Sequence, residues 1–311
     1  MKRELLIAAF FNTPWALDAG YLATFETIVM RWQRGGDASA DVMAGITADR
    51  EILAARKQDA ARAGQGADIA VLPVYGVMTQ RGNMAGNVSG SGSASTQQIA
   101  GAFRAAMNDP SVGGILMDFD TPGGSVFGVD ELASEIFNAR GQKPIYGIAN
   151  SLTCSAGYWV ASQCDQLYGA PGSEIGSIGV FMKHDDQSKA MEADGITRTY
   201  ISAGKYKTEG NPAGPLSEEA QSHLQARVDE YYSAFVKAIA KGRGVGVDAV
   251  RSDYGQGRTL TATQAKSTGM IDDIATFDDV VRKMAKDIKT SSRASPPSRL
   301  AAAQRTLAML S

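Results

Sequence analysis

Apolar and polar positions fall into alternating blocks along this chain. The runs at 69–78 (I-A-V-L-P-V-Y-G-V-M), 113–119 (G-G-I-L-M-D-F) and 144–149 are continuous enough for buried strands. Between them, 97–107 and 129–140 carry helical spacing. This strand–helix alternation predicts parallel βαβ units and an α/β class. Short strands are predicted at 167–170, 177–182 and 197–202. Helices are predicted at 187–193, 217–241 (with Ser217 as a capped start), 247–254, 262–268 and 277–289.

Upstream, Leu17, Tyr21, Leu22, Phe25, Ile28, Val29 and Trp32 give 14–32 the look of an amphipathic helix, with Pro14 in its first turn. A polar, alanine-rich helix is predicted at 40–63. Residues 79–96 are rich in Gly, Ser and Asn and read as a mobile loop. Near the end, T-S-S-R-A-S-P-P-S at 290–298 is a linker by composition, and 300–310 is a short helix or disordered. The division is an N-terminal helical arm at 1–66, a main domain at 67–289, and a linker and tail at 290–311.

One stretch, 146–182, concentrates the candidate chemistry. An apolar strand stops in a small polar turn, 150–154, and a helix-compatible run follows from Ser155 to Gln163. A serine at a strand–helix junction has backbone amides close to its hydroxyl, the arrangement acyl transfer needs for its oxyanion. Ser155 is therefore a candidate nucleophile. Gly and Pro also cluster at the end of the preceding strand, in D-T-P-G-G-S at 120–125, where α/β sites usually lie.

Composition narrows the field. Of 311 residues, 44% are hydrophobic and 21% charged, a globular balance; the net charge of −2 offers no basic field for nucleic acid. Cys154 and Cys164 make neither a disulfide framework nor a metal pattern, so neither a metal nor a cofactor is expected. The opening M-K-R-E-L-L-I-A-A-F-F is interrupted by Glu4, and Asn12-Thr13-Pro14 follows without a small-residue cleavage site, so no secretory signal is expected. No run reaches the ~18 apolar residues of a membrane span.

A serine nucleophile needs a base. His223 sits on the long helix as a surface or packing residue. His184, beside Asp185 and Asp186, allows a Ser-His-Asp set or is a strand-end histidine beside solvated carboxylates. Lysine is the other option. Its free pKa of about 10.4 must fall by roughly 3 units, about 4 kcal/mol of desolvation, before it accepts a proton near neutrality. The G-K-Y-K loop offers Lys205 and Lys207, which point to opposite faces if the segment is extended.

Six segments, taken in order, resemble the signal peptide peptidase A family of serine–lysine peptidases, a branch of the ClpP/crotonase-like fold. They are V-L-P-V-Y-G-V, D-F-D-T-P-G-G-S-V, C-S-A-G-Y-W-V-A-S, G-S-I-G-V, G-K-Y-K-T and G-R-T-L-T-A-T-Q-A-K-S-T-G-M-I-D, and together they cover about residues 69 to 275. The opening F-F-N-T-P-W-A-L resembles the phage head-maturation (prohead) branch. The resemblance implies a repeated ββα spiral core with parallel strands. It implies Ser155 as nucleophile, Lys207 as general base and Ser177 as a hydroxyl holding the lysine amine. Gly123 or Gly124 is implied as one oxyanion donor, with the amide of Ala156 or Ser155 as the second. Two departures stand out: Cys154 where the family has alanine, and Ala156 where it has glycine.

The implied function is a serine endopeptidase cleaving scaffold and other prohead proteins during capsid maturation. The alternatives are a cytosolic signal-peptide or oligopeptide peptidase, or an inactive or acyl-CoA-type crotonase-like protein. The expected partners are a peptide or unfolded protein substrate and further copies in a homo-oligomer, with Ser155 and Lys207 from one subunit or adjacent ones. Neither nucleic acid nor a membrane anchor is expected. The expected location is the host cytoplasm or the phage prohead.

Overall fold

The buried apolar runs pair into one parallel sheet, and the short segments after them build a second. The computed structural model describes residues 13–18, 21, 69–81 and 94–294. Its strands are β1 (Trp15–Leu17), β2 (Ile69–Tyr75), β3 (Met78–Thr79), β4 (Ala94–Ser95), β5 (Gly114–Thr121), β6 (Gly123–Ser125), β7 (Ile145–Cys154), β8 (Gln166–Gly169), β9 (Glu174–Gly176), β10 (Thr259–Thr261) and β11 (Asp273–Ile274). Its helices are α1 (Thr96–Asn108), α2 (Val129–Ala139), α3 (Ala156–Ala161), α4 (Ser188–Ala193), α5 (Glu218–Arg243), α6 (Val247–Asp253), α7 (Ala262–Ser267) and α8 (Phe277–Ala294).

The larger sheet runs β10-β9-β7-β5-β2, with β8 joining β7 to β11. Its β2, β5, β7, β8 and β9 pairings are parallel; β10 closes one edge antiparallel to β9. The smaller sheet runs β1-β6-β3-β4. A long strand, a short strand of the second sheet and a helix recur in order: β2–β3–β4–α1, then β5–β6–α2. This is the repeated ββα spiral expected of a ClpP/crotonase-like core.

Both faces of the large sheet are covered, which is why its strands read as unbroken apolar runs. Ile115, Met117, Ile145 and Ala149 face the main core with Phe103, Leu132, Trp159 and Phe235 from the helices. Their neighbours Leu116, Tyr146 and Ile148 face the opposite way, against Val280, Val281 and Met284 of α8. Alternation along a strand sends adjacent side chains to opposite faces. Trp159 of α3 stacks on Phe235 of α5 with ring centroids 4.6 Å apart, fixing the helix that follows Ser155. Ser217 caps α5 by accepting from the Ala220 amide at 3.1 Å, as predicted.

Six expectations change. The predicted linker at 290–298 begins inside α8, which runs on to Ala294, and the ends of the predicted loop at 79–96 belong to β3, β4 and the first residue of α1. The strand predicted at 144–149 runs on through Cys154, because Thr153 pairs with both Thr121 and Ile175. A polar composition suggests a turn; neighbours on both sides make it a strand. Trp15–Leu17 is a strand rather than the start of a helix, because it gains β6 as a partner; residues 22–32 of that predicted helix lie outside the described residues. The segment 177–182 is irregular apart from a bridge at Phe181. Residues 197–202 form no strand, having no partner edge among the described residues. The predicted helix at 40–63, residues 82–93 of the loop and the tail beyond 294 lie outside the described residues.

Candidate active site

At the end of β7 the chain turns sharply at Ser155 and enters α3. Ser155 has φ 54 and ψ −118, a backbone conformation that residues with a side chain rarely adopt. Holding it costs about 1–3 kcal/mol, and such strain persists only where surroundings enforce it. The Ser155 amide donates to Gly176 O at 2.7 Å, and Trp159 N–H donates to Ser155 O at 2.9 Å. A sharp, strained strand-to-helix turn is also where α/β-hydrolases carry their nucleophilic serine. Its Oγ points towards Gly179 O at 3.4 Å, and the residue is fully buried.

The glycine turn lies directly against it. Gly123 has φ +98, and a Cβ there would sit 2.8 Å from Ser155 Cβ and 3.0 Å from Cys154 O, and would collide with Ala16 O. Only glycine permits this approach. Thr121 organises the turn: its hydroxyl donates to Gly76 O at 2.6 Å and accepts from the Gly123 amide at 3.1 Å. Gly157 lets α3 close on Thr121, since a Cβ there would collide with Thr121 Cγ2. Ser177 also has a positive φ, 53; it is nearly buried, and its amide donates to Arg258 O at 2.9 Å. Gly176, bonded to Ser155, joins the two serines.

Of the residues named from sequence, Ser155, Ala156, Gly123, Gly124 and Ser177 are thus gathered around one junction. The Ser155 amide is taken by Gly176 O, leaving Ala156, Gly157 and Tyr158 as first-turn amides without an intrahelical acceptor, Ala156 being the one next to the serine. Lys207 stands apart. It is exposed, in a turn where its own amide donates to Gly204 O at 3.1 Å. Lys205 is held at the surface by Glu219 at 3.0 Å. His184 meets Gly214 O at 3.1 Å, and no hydrogen bond joins it to Ser155; His223 is exposed on α5. Cys154 is a buried thiol pushed well above its usual range by burial, with Asp18 and Glu174 adding to it. Its thiolate is disfavoured, which argues against a cysteine nucleophile. Among the described residues no group of His, Cys, Asp and Glu could hold a metal, and no helix is long and apolar enough to cross a membrane.

Two features had no signal in the sequence. Thr121 reads as one more strand-end residue, yet it fixes the Gly123 amide. β1 reads as helix, yet it runs along β6 beside Ser155.

Residues 138–291 match peptidase family S49. The chain is 30% identical over 302 residues to the head-tail preconnector protein GP5 of Enterobacteria phage P21, covering 94% of this chain and 60% of that protein. It is 31% identical over 283 residues to capsid assembly protease C of Escherichia phage lambda, covering 88% and 63%. It is 27% identical over 177 residues to the chloroplastic serine protease SPPA of Arabidopsis thaliana, covering 57% and 26%. The chain therefore spans less than two thirds of the length of each of these relatives. Residues 138–291 are thus similar to peptidase family S49, and the chain is similar over most of its length to two phage head proteins, one of them a capsid assembly protease, and over about half of it to a serine protease SPPA.

Proposed function

We propose that the chain is a serine endopeptidase that cleaves scaffold and other prohead proteins during phage capsid maturation, using Ser155 as nucleophile and Lys207 as general base. The observation that carries the reading is the strained, buried Ser155 turn set against Gly123. The substrate assignment rests on the two phage relatives, one of them named a capsid assembly protease.

In this reading, the Lys207 amine takes the proton of Ser155 Oγ as the oxygen attacks a peptide carbonyl carbon. The tetrahedral oxyanion is met by the Ala156 amide and by an amide of Gly123 or Gly124. Collapse breaks the C–N bond, and the lysine returns its proton to the leaving amine. Water then attacks the acyl-enzyme, with the same lysine as base. Ser177 offers a hydroxyl that can accept from an ammonium or donate to an amine.

Lys207 is exposed within one chain, so the dyad is assigned across two subunits of a homo-oligomer. The segment that carries it supports this. Ile196, Tyr200, Ile201 and Tyr206 are large apolar residues left exposed, Ile201 almost completely. Such a concentration marks a surface made to be covered. Covering it would also desolvate the nearby amine, the condition under which a lysine serves as a base.

Co-expression with phage head proteins tests the function. The wild type is expected to cleave them, and Ser155→Ala and Lys207→Ala are each expected to leave them intact while remaining folded. Mixing the two inactive variants is expected to restore cleavage, since each supplies the group the other lacks. Identical products from wild type and Ser155→Ala would remove the nucleophile. Failure of the mixture to regain activity would return the dyad to a single chain.

A further inference from the structure

The space beside Ser155 is filled by a piece of the chain itself. Residues 14–18 lie extended between two backbone edges. On one side Trp15, Ala16 and Leu17 oppose Ser125, Gly124 and Gly123 in antiparallel register. The Val126 amide donates to Pro14 O at 3.2 Å, and the Asp18 amide to Pro122 O at 2.8 Å. On the other side Trp15 exchanges both backbone bonds with Phe181, at 2.9 and 3.0 Å. Trp15, Ala16 and Leu17 are all buried.

This strand passes the nucleophile. The Ala16 carbonyl oxygen and the Ser155 Cβ both crowd the one position that a Gly123 side chain would take. Without residues 14–18, β6 would present an unpaired edge, and such an edge accepts an extended peptide through main-chain bonds with little regard to sequence. Residues 14–18 hold that edge and the facing one at Phe181 together, which is how a strand-binding slot grips its ligand.

We infer that residues 14–18 are a resident pseudosubstrate: they occupy a slot for one extended peptide beside Ser155, and a substrate strand enters only by displacing them. The inference rests on Ser155 being the nucleophile, so its test includes a binding readout that needs no catalysis. A tethered occupant competes at an effective concentration of about millimolar, so a peptide added at micromolar levels meets a closed slot. Small residues are favoured opposite Gly124, where Ala16 is fully buried.

The probe is a fluorescent peptide with the sequence of residues 13–19, Thr-Pro-Trp-Ala-Leu-Asp-Ala. Its anisotropy is titrated with two full-length chains, Ser155→Ala and the double variant Leu17→Asp/Ser155→Ala. Leu17→Asp places a charge at a buried position and expels the strand. Binding is expected to be about tenfold tighter or more in the double variant. With Ser155 intact, Leu17→Asp is expected to react with a fluorophosphonate probe faster than wild type by a similar factor. Asp18→Pro is the second variant. It keeps the apolar side chains and the extended backbone but deletes the donor to Pro122 O, and a smaller rise in labelling is expected.

Equal peptide affinity in both backgrounds, with cooperative unfolding retained, would make β1 a fixed member of the sheet and overturn the inference. If Leu17→Asp does not fold, unchanged labelling in Asp18→Pro overturns it instead. Absence of Ser155 labelling in every chain, wild type included, would sink the nucleophile and leave the peptide-binding result to decide the slot.

Discussion

Replacing Gly123 with alanine separates backbone strain from close packing at the candidate site. Gly123 and Gly141 both have positive φ, +98 and +80, so alanine at either position meets the left-handed penalty of about 1–2 kcal/mol. They differ in what surrounds them. A Cβ at Gly141 has nothing within 4 Å. A Cβ at Gly123 would lie 2.8 Å from Ser155 Cβ and 3.0 Å from Cys154 O, and would collide with Ala16 O. Departure of β1 would relieve only the last of these, because Ser155 and Cys154 are fixed by β7 and by the bond to Gly176. Overpacking of this kind costs about 1–3 kcal/mol more. Gly123→Ala is thus expected to lose about 2–5 kcal/mol in total, and Gly141→Ala about 1–2 kcal/mol. Urea denaturation of the two variants beside the wild type measures the difference. Fluorophosphonate labelling of Ser155 is expected to fall in Gly123→Ala and to stay unchanged in Gly141→Ala. Equal destabilisation of the two variants would refute the placement of Gly123 against the serine.

Two further outcomes test the surroundings. Asp287 accepts from the Tyr146 hydroxyl at 2.6 Å and from Lys283 at 2.7 Å, tying α8 to the sheet. Partial burial works against its charge, but these two hydrogen bonds hold its carboxyl below the usual range. A depressed folded-state pKa contributes stability above the unfolded value of about 3.9 and loses it as pH falls through the folded value. Asp287→Asn is therefore expected to cost about 1 kcal/mol at pH 7, with the gap to the wild type starting to close below about pH 4 and gone only once pH is below the depressed folded value, read by urea melts across pH. Cys154, its thiol raised chiefly by burial, is expected to resist iodoacetamide at pH 8 in the native protein and to react once denatured, checked by intact mass. Rapid native alkylation would contradict the buried position.

The local signals were the readable ones. The strand–helix junction at Ser155, the cap at Ser217 and the apolar runs of β2, β5 and β7 each depend on neighbours within a few residues, so composition and spacing expose them. The positive φ of Ser155 did not follow from its sequence; it comes from Gly176 and Gly123, which hold the turn from other parts of the chain. The polar stretch ending β7 looked like a turn, because a single chain read in order does not show that Thr153 has a partner on each side.

By itself the sequence determined the parallel α/β core, the helices that cover it and the serine at its central junction, since periodicity and caps are short-range properties. The tertiary structure alone decided that Trp15–Leu17 is a strand lying across that junction and that Thr121 holds the glycine turn. Both rest on backbone groups meeting from distant parts of the chain, Trp15 with Ser125 and Thr121 with Gly76. A three-residue strand carries no periodicity of its own; its conformation is set by the edges it finds, and those edges exist only once the two sheets have formed.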